Sequence, residues 1–256
     1  MNYKATRYFT ISKKRKIKYY FLNNKSQITV VFFHGFMSDM MGAKPTSIQK
    51  FCQRNKINFL KFEYSGHGKS SGSFIEGNIS NWTFDAKKLI KTKIKSSQKL
   101  VFIGSSMGSW IALNLFSTFK KNIIGFMGIA SAPEFLEELM WKKFSNKIKN
   151  LINTKKFYNI ESGDFTYPIT KQLIVNGRRN KVLNNKINLR IPVTLFHGLK
   201  DEVVPLKFSK RIISCCKKSK TKLIKIKSGN HSLSRKSDLK KISKELKSIV
   251  KNSSFI

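Results

Sequence analysis

An α/β fold built on a mostly parallel sheet is predicted by two features of the sequence. Short apolar runs alternate with amphipathic stretches along most of the chain, and the runs themselves lack polar–apolar alternation. Strands buried on both faces read as such runs, and the amphipathic stretches between them read as crossover helices. At 256 residues, 40% of them hydrophobic, the chain is long enough to bury one such sheet in a single domain.

The first elements, residues 3–10 and 16–22, read as an antiparallel hairpin. Apolar strands follow at 28–33, 57–62, 100–103, 123–127, 193–196 and 223–226. Helical patterns lie between them at 46–54, 82–95, 107–119, 206–215 and 236–251. This order predicts an eight-stranded sheet with helices on both faces. Residues 131–190 break the alternation without a clear sheet strand, and carry helix-like stretches at 134–144 and 169–180. A connection that long inside a compact domain is usually functional. The expected organisation is therefore one domain over 1–256, with a helical lid insertion at about 131–190.

The motif with most chemistry in it is Gly104-Ser105-Ser106-Met107-Gly108. It follows the apolar run 100–103 and opens a helical pattern. A serine on a tight strand-to-helix turn projects its hydroxyl above the sheet edge, and the flanking positions need glycine because side chains there would collide. Ser106 is the expected nucleophile. Ser105 should point into the fold. A second match, Gly68-Lys69-Ser70-Ser71-Gly72, stands in a polar loop with no strand directly before it and is read as structural. Nor is it a phosphate-binding loop, since residue 63 is Glu.

A serine hydroxyl needs a base within reach. Of the four histidines, His34 and His197 stand in His-Gly pairs after strands, and His67 lies in Tyr64-Ser65-Gly66-His67-Gly68. His231 follows the last strand in Gly229-Asn230-His231-Ser232. His197 and His231 follow Ser106, and only His231 follows the last strand with the loop acids Asp201 and Glu202 between it and Ser106, as the order nucleophile, acid, histidine requires. Asp201, in the loop after strand 193–196, is the expected acid. Glu202 should face solvent or cap the next helix, and Glu161 and Asp164 in the insertion are weaker candidates. The oxyanion donors are expected to be the amides of Phe36, in His34-Gly35-Phe36, and of Met107 at a helix N-terminus. Residues 36, 106, 201 and 231 all follow carboxyl ends of parallel strands, the edge where open sheets bind ligands. An acyl site could draw on Phe36, Met37, Met40, Met41, Trp110, Phe135 and Leu139, each of which fits a place in the core equally well.

These residues also carry a resemblance. The segments Phe33-His34-Gly35-Phe36-Met37-Ser38-Asp39-Met40-Met41-Gly42, Phe62-Glu63-Tyr64-Ser65-Gly66-His67-Gly68, Gly104-Ser105-Ser106-Met107-Gly108-Ser109-Trp110 and His197-Gly198-Leu199-Lys200-Asp201-Glu202-Val203-Val204-Pro205 are similar to the α/β-hydrolase proteins related to the mitochondrial acyl-protein thioesterase that also cleaves acyl glucuronides. The resemblance implies an α/β-hydrolase fold, ester or thioester hydrolysis, and Ser106, Asp201 and His231 in the roles already argued. It is weakest across the insertion. Glu63 stands where that family usually has Asp.

Composition bounds the rest. The net charge is +38, carried by 51 Lys and Arg against 13 Asp and Glu. Only eight of the basic residues are Arg, and Lys is scattered through the chain beside abundant Asn and Ile. Nucleic-acid readers favour clustered Arg with its planar fork. The pattern reads as compositional bias, with no specific nucleic-acid partner expected, though the field should attract anionic substrates or surfaces. The rival reading from another class is an inactive basic module on the same fold that binds nucleic acid or anionic membrane. A peptidase or carbon–carbon bond hydrolase stays open within the fold. A haloalkane dehalogenase does not, because it needs a carboxylate at position 106. No run of about 18 apolar residues suggests a membrane span, and the N-terminus lacks a secretory or organelle-targeting pattern. Cys52, Cys215 and Cys216 are expected to be free thiols in a reducing cytoplasm, and no cofactor or metal is called for.

Overall fold

In the computed structural model, which describes residues 6–13, 15–162, 165–184 and 186–252, strand order follows from where the apolar runs fall. The main sheet has eight strands in the order β1-β2-β4-β3-β5-β6-β9-β10. β1 (Thr6–Ser12) and β2 (Arg15–Leu22) form the expected hairpin; residues 3–5 lie outside the described residues. β2 pairs antiparallel with β4 (Asn58–Phe62). β3 (Ile28–Phe33), β5 (Lys99–Ser105), β6 (Ile123–Ile129), β9 (Pro192–Gly198) and β10 (Lys220–Ile226) continue in parallel from β4.

The runs are apolar throughout because both sheet faces are covered. Along β3, Val31 and Phe33 join one buried cluster with Trp82, Ile111 and Phe208. Val30 and Phe32, pointing the other way, join a second cluster with Ile48, Leu246 and Ile249. Helices α2 (Ile79–Lys93), α3 (Met107–Asn114) and α6 (Lys207–Cys215) thus pack on the first face. Helices α1 (Ala43–Arg54) and α7 (Lys236–Asn252) pack on the other. α3 stops short of its expected end at 119. The amides of Leu115 and Phe116 turn to carbonyls three residues back, which tightens the chain out of the helix.

The segment between β6 and β9 corrects the expectation of a wholly helical insertion. A π-helical turn at Leu136–Met140 and a 3-10 turn at Trp141–Lys143 replace the helix expected over 134–144. Glu134 sits at φ 60°, outside the right-handed helical region, so no regular helix can run through it. α4 (Asn146–Lys155) then starts at Ser145, whose hydroxyl accepts from the Ile148 amide. β7 (Phe157–Ser162) and β8 (Phe165–Thr170) form a separate antiparallel pair, and α5 (Lys171–Arg179) closes the segment. The two ends of the segment are tied to each other, the Glu134 carboxylate accepting from the amides of Val182 and Leu183 at 2.9 and 2.7 Å, and Trp110 Nε1 of α3 pins the segment to the sheet domain by donating to the Asn180 carbonyl at 2.7 Å.

Candidate active site

Ser106 stands between β5 and α3 at φ 51°, ψ −120°, a conformation that costs free energy in a non-glycine residue. Two glycines make the bend possible. A side chain at Gly104 would run into the backbone of Ser109, and one at Gly108 into the carbonyls of Phe33 and His34. Because those obstacles are backbone, Gly108→Ala cannot be absorbed by a side-chain shift. It is expected to cost about 3 kcal/mol or more, read as a lowered urea midpoint; a midpoint within error of wild type would contradict this packing.

The three chain segments meet as the order of strands requires. His231 Nε2 lies 3.1 Å from Ser106 Oγ, and His231 Nδ1 lies 2.9 Å from Asp201 Oδ2. With Nδ1–H donating to the carboxylate, Nε2 is left as the acceptor facing the hydroxyl. The Asp201 side chain is fully buried. Its other oxygen, Oδ1, accepts from the amides of Val203 and Val204 at 3.0 and 2.8 Å. Burial pushes the Asp201 carboxyl up, but the bonds from His231 and these amides outweigh it, and the net shift is below the ordinary aspartate value. Glu202 is exposed and caps nothing, and Glu161 is exposed on β7, away from this cluster; Asp164 lies outside the described residues.

Each remaining histidine has a structural place. His34, buried and held far below its ordinary pKa by burial and by His67, donates from Nδ1 to the Gly35 carbonyl at 2.8 Å. His67 packs among His34, Tyr64, Phe74 and Trp82, and burial brings it down to about 4. His197 does something the sequence did not suggest. Its ring bridges Ser209 Oγ (2.9 Å) and the Val204 carbonyl (3.0 Å), which ties the Asp201 loop to α6. Ser105 is 7% exposed, as expected of a residue turned inward. The second glycine–serine match is also structural: Ser70 Oγ donates to the Glu63 carbonyl at 2.8 Å, and Ser71 Oγ accepts from the Lys16 amide at 2.6 Å.

The loop carrying Phe36 passes against the serine, since a side chain on Gly35 would lie 3.5 Å from Ser106 Cβ. Met107 takes the first position of α3, where a helix offers its amide no acceptor. Between these loops opens a cavity of about 670 Å³. Phe36, Ser106 and His231 line it together with Ser38, Asp39, Lys44, Lys200, Glu202, Asn230, Ser232 and Ser234. Of the seven apolar residues considered for an acyl site, Phe36 alone lines this cavity. Met40, Trp110 and Phe135 are buried in packing, Leu139 is half-buried in the insertion, and Met37 and Met41 are exposed. Size and hydrophobicity do not reveal burial, which depends on how the loop turns.

Lys44 was not foreseen. From the first turn of α1 its ammonium donates to the Ser232 carbonyl, next to His231, and to Ser234 Oγ. Burial brings Lys44 down to about 8 from an ordinary 10.5, against the opposing pull of Asp238. The unfolded chain therefore binds the Lys44 proton more tightly between those values, so the Lys44 contribution to stability rises with pH across that window. The unfolding free energy of wild type relative to Lys44→Met should increase from pH 8 to 10.5 in paired urea titrations; a flat or falling difference would contradict it.

No group of three His, Cys, Asp or Glu side chains that could hold a metal ion occurs among the described residues. No helix among them is long and apolar enough to cross a membrane.

The family model described as serine aminopeptidase, S33, matches residues 24–167, more than half of the chain. Palmitoyl-protein thioesterase ABHD10, mitochondrial, of Mus musculus is 27% identical over 215 residues, covering 82% of this chain and 71% of that protein. Among solved structures, a hydrolase from Agrobacterium vitis S4 superposes with a TM-score of 0.90 at 26% identity over 95% of this chain and 98% of that one. Mouse alpha/beta hydrolase domain-containing protein 10 gives 0.87 at 23% identity over 97% and 99%.

Proposed function

The chain belongs to the serine aminopeptidase S33 family of hydrolases and is a serine hydrolase of esters or thioesters; we propose that Ser106 is its nucleophile, His231 its general base and Asp201 the acid that orients the base. The observation that carries this is the continuous bonding from Asp201 through His231 to Ser106 at 2.9 and 3.1 Å, with Ser106 and His231 lining the cavity. Ser106 Oγ attacks the acyl carbonyl while His231 Nε2 takes its proton. The amides of Phe36 and Met107 receive the negative charge on the carbonyl oxygen. Collapse breaks the C–O or C–S bond, and His231 returns the proton to the leaving alcohol or thiol. Water, deprotonated by His231, then releases the acid and restores Ser106. No step requires a cofactor or metal.

The segment 131–190 acts as a lid. Phe36 stacks edge-on against Phe135 and Tyr167 of that segment at 5.2 and 5.8 Å, so its position bears directly on an oxyanion donor. The cavity's own charges balance, Lys44 and Lys200 against Asp39 and Glu202. The substrate class is thus set by the acyl carbonyl, and the net charge of +38 acts at longer range. Buried free thiols at Cys52, Cys215 and Cys216 fit a reducing compartment, and the cytoplasm is the location assigned.

Paired p-nitrophenyl esters and acyl thioesters of increasing chain length, with aminoacyl anilides alongside, test the reading. Faster turnover of esters or thioesters supports it. Faster cleavage of the anilides would move the protein to the peptidases.

A further inference from the structure

Eight large hydrophobic side chains stand exposed among the described residues. Four of them, Met37, Met41, Leu199 and Val203, fall on two of the loops that border the catalytic cavity, after β3 and after β9. They are 46, 47, 51 and 59% exposed. Single apolar residues scattered on a surface need no explanation, but a group ringing an opening does. Three of the four do not serve as cavity wall. Met37, Met41 and Leu199 flank lining residues Phe36, Ser38, Gly42 and Lys200 in sequence but are not themselves part of the lining.

The surrounding charge says what could cover them. Lys200, Lys227 and Lys236 are exposed on or beside the loops that follow the carboxyl ends of β9 and β10, the same sheet edge, and outnumber the exposed Glu202 there, on a chain of net charge +38. Apolar tips set among exposed lysines match an anionic bilayer. The lysines meet headgroup charge, and the tips reach the boundary of the acyl chains.

We propose that the mouth of the catalytic cavity docks on an anionic lipid surface, from which the acyl substrate enters. The proposal takes from the functional reading only which cavity receives substrate. Docking is measured without turnover, so either can fail alone.

The experiment is co-sedimentation of the full chain with vesicles of phosphatidylcholine, or of equimolar phosphatidylcholine and phosphatidylglycerol, in low and high salt. The wild type should bind the anionic vesicles, and the double variant Met41→Glu, Leu199→Glu should partition about tenfold less. A matched control, Tyr8→Glu, Phe84→Glu, makes the same charge change at two other exposed hydrophobics, on β1 and α2, and should bind like wild type. Equal urea midpoints show that the variants are folded, and Met41→Ser, Leu199→Ser repeats the test without added charge. Equal loss in both glutamate doubles would reduce the effect to bulk charge and overturn the proposal. So would equal binding by all forms, or no binding by wild type. Duplex DNA binding that depends on Met41 and Leu199, without vesicle binding, would assign the face to nucleic acid instead.

Discussion

Replacing Ser106 with alanine is expected to lower kcat on a short-chain p-nitrophenyl ester by at least about 10⁴-fold and to abolish covalent labelling by a fluorophosphonate. The hydroxyl is the group that His231 Nε2 faces at 3.1 Å, and without it no acyl intermediate forms. Water positioned by the remaining groups could supply only residual turnover. The fold should survive, because the Ser106 amide still donates to the Ile129 carbonyl and alanine adds no atom to the bend. A matched Ser70→Ala variant should keep full activity, since that hydroxyl serves the Glu63 carbonyl. Labelling that persists in Ser106→Ala, or vanishes in Ser70→Ala, would contradict the assignment.

Asp201→Asn should lower kcat by about 10³- to 10⁴-fold while leaving the fold intact. The geometry dictates how. Oδ1 is held by the amides of Val203 and Val204, so the asparagine carbonyl stays on that side and its NH₂ turns to His231. Nδ1 must then accept, the ring proton moves to Nε2, and Nε2 can no longer take the proton of Ser106. The same substitution removes a pH term from stability. The Asp201 carboxyl titrates below its ordinary 3.8 when folded, so its contribution is full above that value and is lost as pH falls through the folded one. Asp201→Asn should flatten the acid limb of stability as well as disable turnover. Unchanged kcat would show that His231 is oriented by something else.

Much of this was legible in the sequence because the signals were local and redundant. The central strands are apolar runs; Ile28–Phe33 is bounded as expected, while β5, β6, β9 and β10 run one to three residues longer at one or both ends, and position after the last strand separated His231 from His34, His67 and His197. The insertion was harder to read. The aromatic and β-branched runs of β7 and β8, joined through Ser-Gly-Asp, carried a hairpin signal that helix-like residues after it obscured. The positive φ at Glu134 answers to two amides nearly 50 residues on, a tertiary demand with no local signature. The same holds for Lys44, whose partners lie 188 and 190 residues away, and for His197, which braces the acid loop only once α6 has docked. Met37 and Met41 have the side chains an acyl site could use, yet loop direction puts them on the surface.

The central claim is that acyl transfer passes through Ser106. Quenching the enzyme during turnover of a slow-deacylating ester, then digesting it and locating the added acyl mass by peptide mass spectrometry, tests this most directly. The acyl group is predicted on the Ser106 hydroxyl, forming at the rate of the first-turnover burst. An adduct on another residue, or full turnover with no adduct and no burst, would contradict it.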